Sequence, residues 1–309
     1  MSLAFVFPGQ GSQSVGMLGE LAQTYTQVQQ TFQQASDALG YDLWDIVQNG
    51  PDEKLNSTDI TQPAMLSAGV SIWRIYSDLN GATPDVMAGH SLGEYTALVC
   101  AGAMAFEDAI KLVSARGQYM QQAVTKGSGA MAAILGLDDD AVREVCVAAS
   151  EDDVVEAVNF NSPGQVVIAG NTVAVERATV LAKEKGAKRA VMLPVSVPSH
   201  CQLMQPAAEK LQQALKDINI QAPTISVINN VDVATPTDQN EIRDALVRQL
   251  YQPVRWVEVI QKMAQQGVQR IVECGPGKVL WGLDKRIDKS LEHVAMFDAD
   301  SIQSQTVNE

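Results

Sequence analysis

Ser91 stands in the run Gly89-His90-Ser91-Leu92-Gly93, which follows the short apolar stretch Val86-Met87-Ala88. This G-x-S-x-G spacing puts a serine on a sharp strand-to-helix turn, with its Oγ exposed at the top of a sheet. Glycines on both sides lack a Cβ, so strand and helix can close tightly around the turn. The N–H of Leu92 then falls at a helix N-terminus, where free donors and the dipole favour an oxyanion. A Gly-rich turn with a capping serine is the bland alternative. A serine hydroxyl is a poor nucleophile until a base takes its proton, and the chain offers three histidines. His90 adjoins Ser91, but the elbow points the two side chains apart, so it is expected to orient the turn. His293 follows the charged segment Asp284 to Glu292 and is expected on a solvated surface. His200 lies in the proline-framed loop Pro198-Ser199-His200, with Pro194 and Pro206 around it, and is the candidate base. No acidic residue presents itself as a third member of a triad, so a backbone carbonyl is the expected orienter.

Arg116 is the second candidate. The pattern from Phe106 to about Ala123 reads as a helix whose apolar stripe runs through Ala109, Leu112, Val113, Met120 and Ala123, and Arg116 falls inside that stripe. A cation facing a core needs a carboxylate or phosphate partner, because an unpaired buried charge costs several kcal/mol, roughly. The alternatives are a stem lying on apolar surface with its head in water, a partner within the protein, or a substrate anion held by a bidentate fork. Gln10 lies in Pro8-Gly9-Gln10-Gly11-Ser12-Gln13 and could aim its amide at a site, although alone it reads as a solvated loop residue. That loop is not a dinucleotide fingerprint, because Ser14 stands where the third glycine belongs. The Gly275-Pro276-Gly277-Lys278 run is not a phosphate-binding Walker loop, since its spacing is wrong and Val279 replaces the hydroxyl residue.

The elements that must position these residues alternate. Leu3 to Phe7 reads as a buried strand. Residues 17–48 read as helix-rich, and Thr61-Gln62-Pro63 opens a helix from Ala64 to about Leu79, with Pro63 near its first position. The elbow strand and its helix follow, which makes an α/β alternation. After Gly127-Ser128-Gly129 the pattern becomes strand, helix, two strands joined at Asn161-Ser162-Pro163-Gly164, helix and a strand from Lys188 to Val195. This β-α-β-β-α-β order is ferredoxin-like and reads as an inserted subdomain at about 125–195. Strand 225–229, helices 240–251 and 253–265, and strand 268–272 return to the first pattern. The tail after Asp298 is polar and is expected to fray.

Composition narrows the classes. The 309 residues carry 46% hydrophobic and 19% charged side chains, as an ordinary globular protein does. A net charge of −14 argues against a general nucleic-acid binder and against docking on anionic membrane. No apolar run is long enough to span a bilayer, and the N-terminus lacks the basic flank of a signal peptide. The four scattered cysteines fit a reducing cytoplasm, and the histidine spacing gives no metal site.

Phe7-Pro8-Gly9-Gln10-Gly11-Ser12-Gln13, Gly89-His90-Ser91-Leu92-Gly93-Glu94-Tyr95, Arg116-Gly117, Asn159-Phe160-Asn161-Ser162-Pro163-Gly164-Gln165, Pro198-Ser199-His200 and Glu273-Cys274-Gly275-Pro276-Gly277 succeed one another along the chain. In this order they resemble the bacterial malonyl-CoA:acyl-carrier-protein transacylases, from the N-terminus to about Arg286. The resemblance implies an α/β-hydrolase-like large subdomain, residues 1–124 and 196–309, with a ferredoxin-like small one, residues 125–195. It implies that Ser91 is acylated, that His200 is the acid/base, and that a carbonyl within Arg248-Gln249-Leu250, here assigned to Gln249, orients its ring. Gln10 and the Leu92 N–H would form the oxyanion hole, and Arg116 would hold the malonyl carboxylate. No cofactor or metal is implied, because CoA and phosphopantetheine thioesters are the substrates. The implied partners are malonyl-CoA and acyl carrier protein, and the implied setting is a cytoplasmic monomer in fatty acid synthesis. The carrier protein of such systems is acidic, so docking would need local basic clusters. Lys183, Lys185, Lys188 and Arg189 form one, and Lys278, Lys285 and Arg286 another. Ser199 stands where many malonyl-selective synthase domains carry an aromatic residue, although free-standing bacterial enzymes share Pro-Ser-His. A serine thioesterase or esterase is the rival enzyme, and an acyl- or nucleotide-binding module the rival of another class. A carboxylate clamp at Arg116 would favour the transferase over either.

Overall fold

The computed structural model describes residues 2–195 and 197–306. Met1, the last three positions of the polar tail, and Ser196, the expected start of the second large-subdomain stretch, lie outside them. Strand β1 (Leu3–Phe7) leads into helices α1 (Gly19–Thr24), α2 (Thr26–Leu39), α3 (Leu43–Asn49), α4 (Asp52–Leu55) and α5 (Thr58–Asp78). Then come β2 (Val86–Gly89), α6 (Gly93–Cys100) and α7 (Phe106–Ala123). The insert contributes β3 (Gly129–Leu135), α8 (Asp139–Ser150), β4 (Val155–Ser162), β5 (Gln165–Asn171), α9 (Thr172–Glu184) and β6 (Arg189–Met192). The chain returns through α10 (Gln205–Ala214), β7 (Ser226–Ile228), α11 (Gln239–Gln249), α12 (Trp256–Gln265), β8 (Arg270–Cys274), α13 (Val279–Ile287), β9 (Glu292–Met296) and α14 (Ala299–Thr306).

Two separate sheets result. One is wholly parallel, in the order β7-β2-β1-β8-β9. Parallel strands need helical crossovers that cover both faces, which is why β1 is apolar throughout. Its side chains alternate between two cores: Phe5 and Phe7 pack with α2, α5 and α7, while Ala4 and Val6 pack with α12 and α13. The second sheet is antiparallel, in the order β4-β5-β3-β6, with α8 and α9 supplying apolar cover. The β-α-β-β-α-β order expected for the insert is present.

Four expectations need correction. Helix α5 begins at Thr58, not Ala64, and Pro63 lies inside it. Its added first turns are held by packing: Gly117 of α7 sits against the Thr58–Asp59 backbone, where a Cβ would collide. The strand expected from Lys188 to Val195 is only β6, because pairing with β3 stops at Met192. His293 is not on a solvated surface but half-buried on β9, beside β8. The tail after Asp298 does not fray through its described part, because Ile302 of α14 is buried in the main core.

Candidate active site

The elbow is built by close approach. A Cβ on Gly89 would run into the backbone of Gly93, and one on Gly93 into the carbonyl of Phe7. Gly9 serves the neighbouring loop in the same way, since a Cβ there would strike the His90 carbonyl. Its lack of a side chain brings Gln10 up to the serine. Ser91 adopts φ 50, a left-handed conformation that a non-glycine residue holds only under constraint. The constraint is visible: the Ser91 N–H donates to Asn230 Oδ1 at 2.7 Å, and the Ser91 carbonyl accepts from Gln249 Nε2 at 3.0 Å.

Ser91 Oγ lies 2.8 Å from His200 Nε2, across 109 positions of sequence. His200 Nδ1 lies 2.6 Å from the backbone carbonyl of Gln249. A carbonyl can only accept, so Nδ1 carries the proton and Nε2 faces the serine as an acceptor. His200 is itself fixed at φ 69, its N–H donating to the Leu250 carbonyl at 2.9 Å. Burial, and after it the charge of Arg116, push its pKa down to about 3, while the Gln249 carbonyl pulls the other way. The ring is therefore neutral at ordinary pH, as a proton acceptor must be.

Arg116 is 1% exposed. Its guanidinium donates to Gln62 Oε1 at 2.8 Å, to Gln249 Oε1 at 3.1 Å and, at a long 3.4 Å, to Ser91 Oγ, while its Nε has no partner among the described residues. The Tyr95 ring lies 5.4 Å from it. A buried guanidinium carrying neutral partners and a spare donor, next to a nucleophile, is a receptor for a small anion. Gln10, Leu92, His90 and Asn159 line the same cavity with Ser91, Arg116 and His200. The Leu92 N–H has no acceptor among the described residues. His90 turns away from the serine and binds Asn161 Oδ1 of β4 through Nε2 at 2.8 Å, beside Trp256. The other two histidines thus do not serve Ser91, as His293 hydrogen-bonds the Asp288 carbonyl far from the elbow. Asn230, Glu94 and Gln62 were not anticipated as site residues. Of these, only Glu94 left a signal, as an acid in the first turn of the elbow helix.

A serine, a neutral base and free donors beside a cationic pocket can acylate the serine with an anionic acyl group. Residues 4–296 match the model of the acyl transferase domain family. A Haemophilus influenzae protein named malonyl CoA-acyl carrier protein transacylase is 61% identical over 302 residues, covering 97% of each chain. The crystal structure of an acyl carrier protein S-malonyltransferase from Vibrio cholerae superposes with TM-score 0.96 at 60% identity, covering 98% of this chain and 99% of that one. A chain in the solved structure of a type II PKS acyl-carrier protein in complex with its malonyl-transacylase matches with TM-score 0.98 at 53% identity, covering 99% of this chain and 99% of that one.

Proposed function

Because the chain belongs to the acyl transferase domain family, among relatives named malonyl CoA-acyl carrier protein transacylase, we propose that it moves a malonyl group from malonyl-CoA to acyl carrier protein. It is an acyltransferase of fatty acid biosynthesis, an S-malonyltransferase. The observation that carries the mechanism is the line from the Gln249 carbonyl through His200 to Ser91 Oγ, ending beside Arg116.

In the first half-reaction His200 Nε2 takes the Ser91 proton as Oγ attacks the malonyl thioester carbonyl. The oxyanion is received by the Leu92 N–H and the Gln10 amide, each such donor being worth roughly 3–4 kcal/mol. Arg116 holds the free carboxylate. The carbon–sulfur bond breaks, and the imidazolium returns its proton to the departing CoA thiolate. In the second half the phosphopantetheine thiol of the carrier protein gives its proton to His200 and attacks the malonyl-serine ester; the bond from Ser91 Oγ to the acyl carbon breaks, the imidazolium returns its proton to Oγ, and the malonyl thioester leaves on the carrier protein. Arg116 favours this reading over an esterase, whose neutral acyl group has no use for a buried cation. No metal or resident cofactor is invoked.

The same reading divides the chain into an α/β-hydrolase-like subdomain, 1–124 and 196–309, and a ferredoxin-like one, 125–195. It takes the protein as a cytoplasmic monomer. Free cysteines fit that setting, and no helix among the described residues is long and apolar enough to cross a membrane. The test is intact-mass measurement after incubation with malonyl-CoA. A malonyl adduct that passes to carrier protein, and is absent from Ser91→Ala, is expected. No adduct on the wild-type chain under acid quench would sink the proposal.

A further inference from the structure

Among the described residues no carboxylate lies within ion-pair distance of Arg116. A fully buried guanidinium still needs its charge balanced. The nearest candidate is Glu94, buried in the first turn of α6. Its Oε2 accepts from Gln249 Nε2 at 2.9 Å and from the Asn230 N–H at 2.9 Å. The other end of the same Gln249 amide, Oε1, accepts from Arg116 at 3.1 Å. One primary amide therefore stands between the two charges. A carboxylate and the Ser91 carbonyl both demand donors, which forces Nε2 toward them and leaves Oε1 for the arginine.

We propose that Glu94 is a positioning and specificity-determining residue, balancing the Arg116 charge through the Gln249 side chain while keeping the guanidinium open for the substrate carboxylate. A direct Glu–Arg pair would occupy the fork that the acyl group has to fill. No internal anion would leave Arg116 both destabilised and free to turn. The interposed amide avoids both outcomes. Asn230 ties the arrangement to the nucleophile, because its N–H is held by Glu94 while its side-chain oxygen holds the Ser91 N–H. Its Nδ2 donates to the Gly89 carbonyl at 2.7 Å, so the amide of Asn230 is also fixed.

The inference rests on the proposed role of Arg116 as the carboxylate clamp. Its test measures kcat and KM with malonyl-CoA and with acetyl-CoA for the wild type, Glu94→Gln and Arg116→Ala. Glutamine keeps an oxygen acceptor of the same shape and removes the charge. The malonyl-to-acetyl ratio of kcat/KM is expected to fall about tenfold in Glu94→Gln, chiefly through KM for malonyl-CoA, a size usual for coupling within one charged network. A wild-type ratio in Glu94→Gln with a lowered one in Arg116→Ala overturns the role of Glu94 alone. A wild-type ratio in both overturns the clamp as well.

Should the glutamine variant fail to fold, the wild-type pH dependence carries the test. Burial pushes the Glu94 carboxyl up to about 7, with Asn230, Gln249 and Arg116 pulling it down and Asp232 pushing further up. The groups facing it are Arg116 of α7, Asp232 after β7 (itself paired with Arg248 of α11 at 2.6 Å), its neighbour Tyr95, pushed up to about 12, and the depressed histidines His200 and His90. Glu94 is the member of this set expected to change charge near neutrality. The malonyl-to-acetyl ratio should therefore decline as pH falls from about 8 to about 6, across the value to which burial has moved this carboxyl. A ratio level across that range overturns the proposal.

Discussion

At the scale of single residues, the site depends on keeping a base uncharged beside a cation. His200 is buried, and Arg116 stands on the far side of the serine hydroxyl. Both effects depress the imidazole, to about 3, so protonation of this ring does not reach ordinary pH. With a neutral acyl donor such as acetyl-CoA, transfer should accordingly show no step at the usual imidazole value, between about pH 6 and about pH 8. Stopped-flow or quench measurement of acyl-enzyme formation checks this, and a midpoint near that value that persists in Glu94→Gln would contradict it. Ser91, Arg116 and His200 were legible because each breaks a local pattern: a strained glycine turn, a charge in an apolar stripe, a histidine framed by prolines. Asn230 and Gln62 break none. Their partners lie 139 positions away at Ser91 and 54 away at Arg116, and no spacing rule links amides across such separations.

Among the elements, the elbow is the one whose geometry follows almost wholly from side chains that are missing. The Gly93 Cβ would meet the Phe7 carbonyl of the neighbouring parallel strand, so β1, β2 and α6 are wedged together only while the position is bare. Gly93→Ala should cost about 3 kcal/mol, the upper range for overpacking a tight interior, as a lowered denaturation midpoint. Activity should fall with it, because α6 carries the Leu92 N–H at its start. This much could be read from glycine spacing. The start of α5 could not, because Pro63 reads as a first helical position and the turns before it, packed at Thr58–Asp59 against Gly117, leave no local signal. Nor could β9 and α14. The charged run before His293 masks a short strand whose pairing with β8 is set by register and not by apolar alternation.

For the whole molecule, the β-α-β-β-α-β order between Gly129 and Met192 was legible because it is a complete motif, whereas the contacts of that segment with the rest of the chain were not. Its contacts are both apolar and polar: Met131, Val158, Val167 and Ala169 pack with Cys201 and Leu203. Phe160 N–H donates to the Val254 carbonyl at 3.0 Å, His90 reaches Asn161, and Arg286 donates to Gln165 Oε1 at 2.8 Å. The proposed basic docking face straddles this seam. Within it Lys185 is already paired with Glu144 at 2.9 Å, and Lys285 and Lys278 lie over the rings of Trp281 and Phe297. Arg189 and Arg286 are both exposed, one on each side of the Gln165 contact. Reversing both charges should raise KM for carrier protein about tenfold and leave KM for malonyl-CoA in place, with rim charges acting mainly on encounter. Steady-state titration of each substrate checks it, and equal effects on both would remove the patch. Ser91 and His200 hold φ 50 and 69 and meet across 109 positions of sequence. Each such residue costs on the order of 1–3 kcal/mol that the rest of the fold must supply. The candidate site is thus a point of local instability, and the close packing around it, with Gly89 and Gly93 bare against backbone, is what holds it.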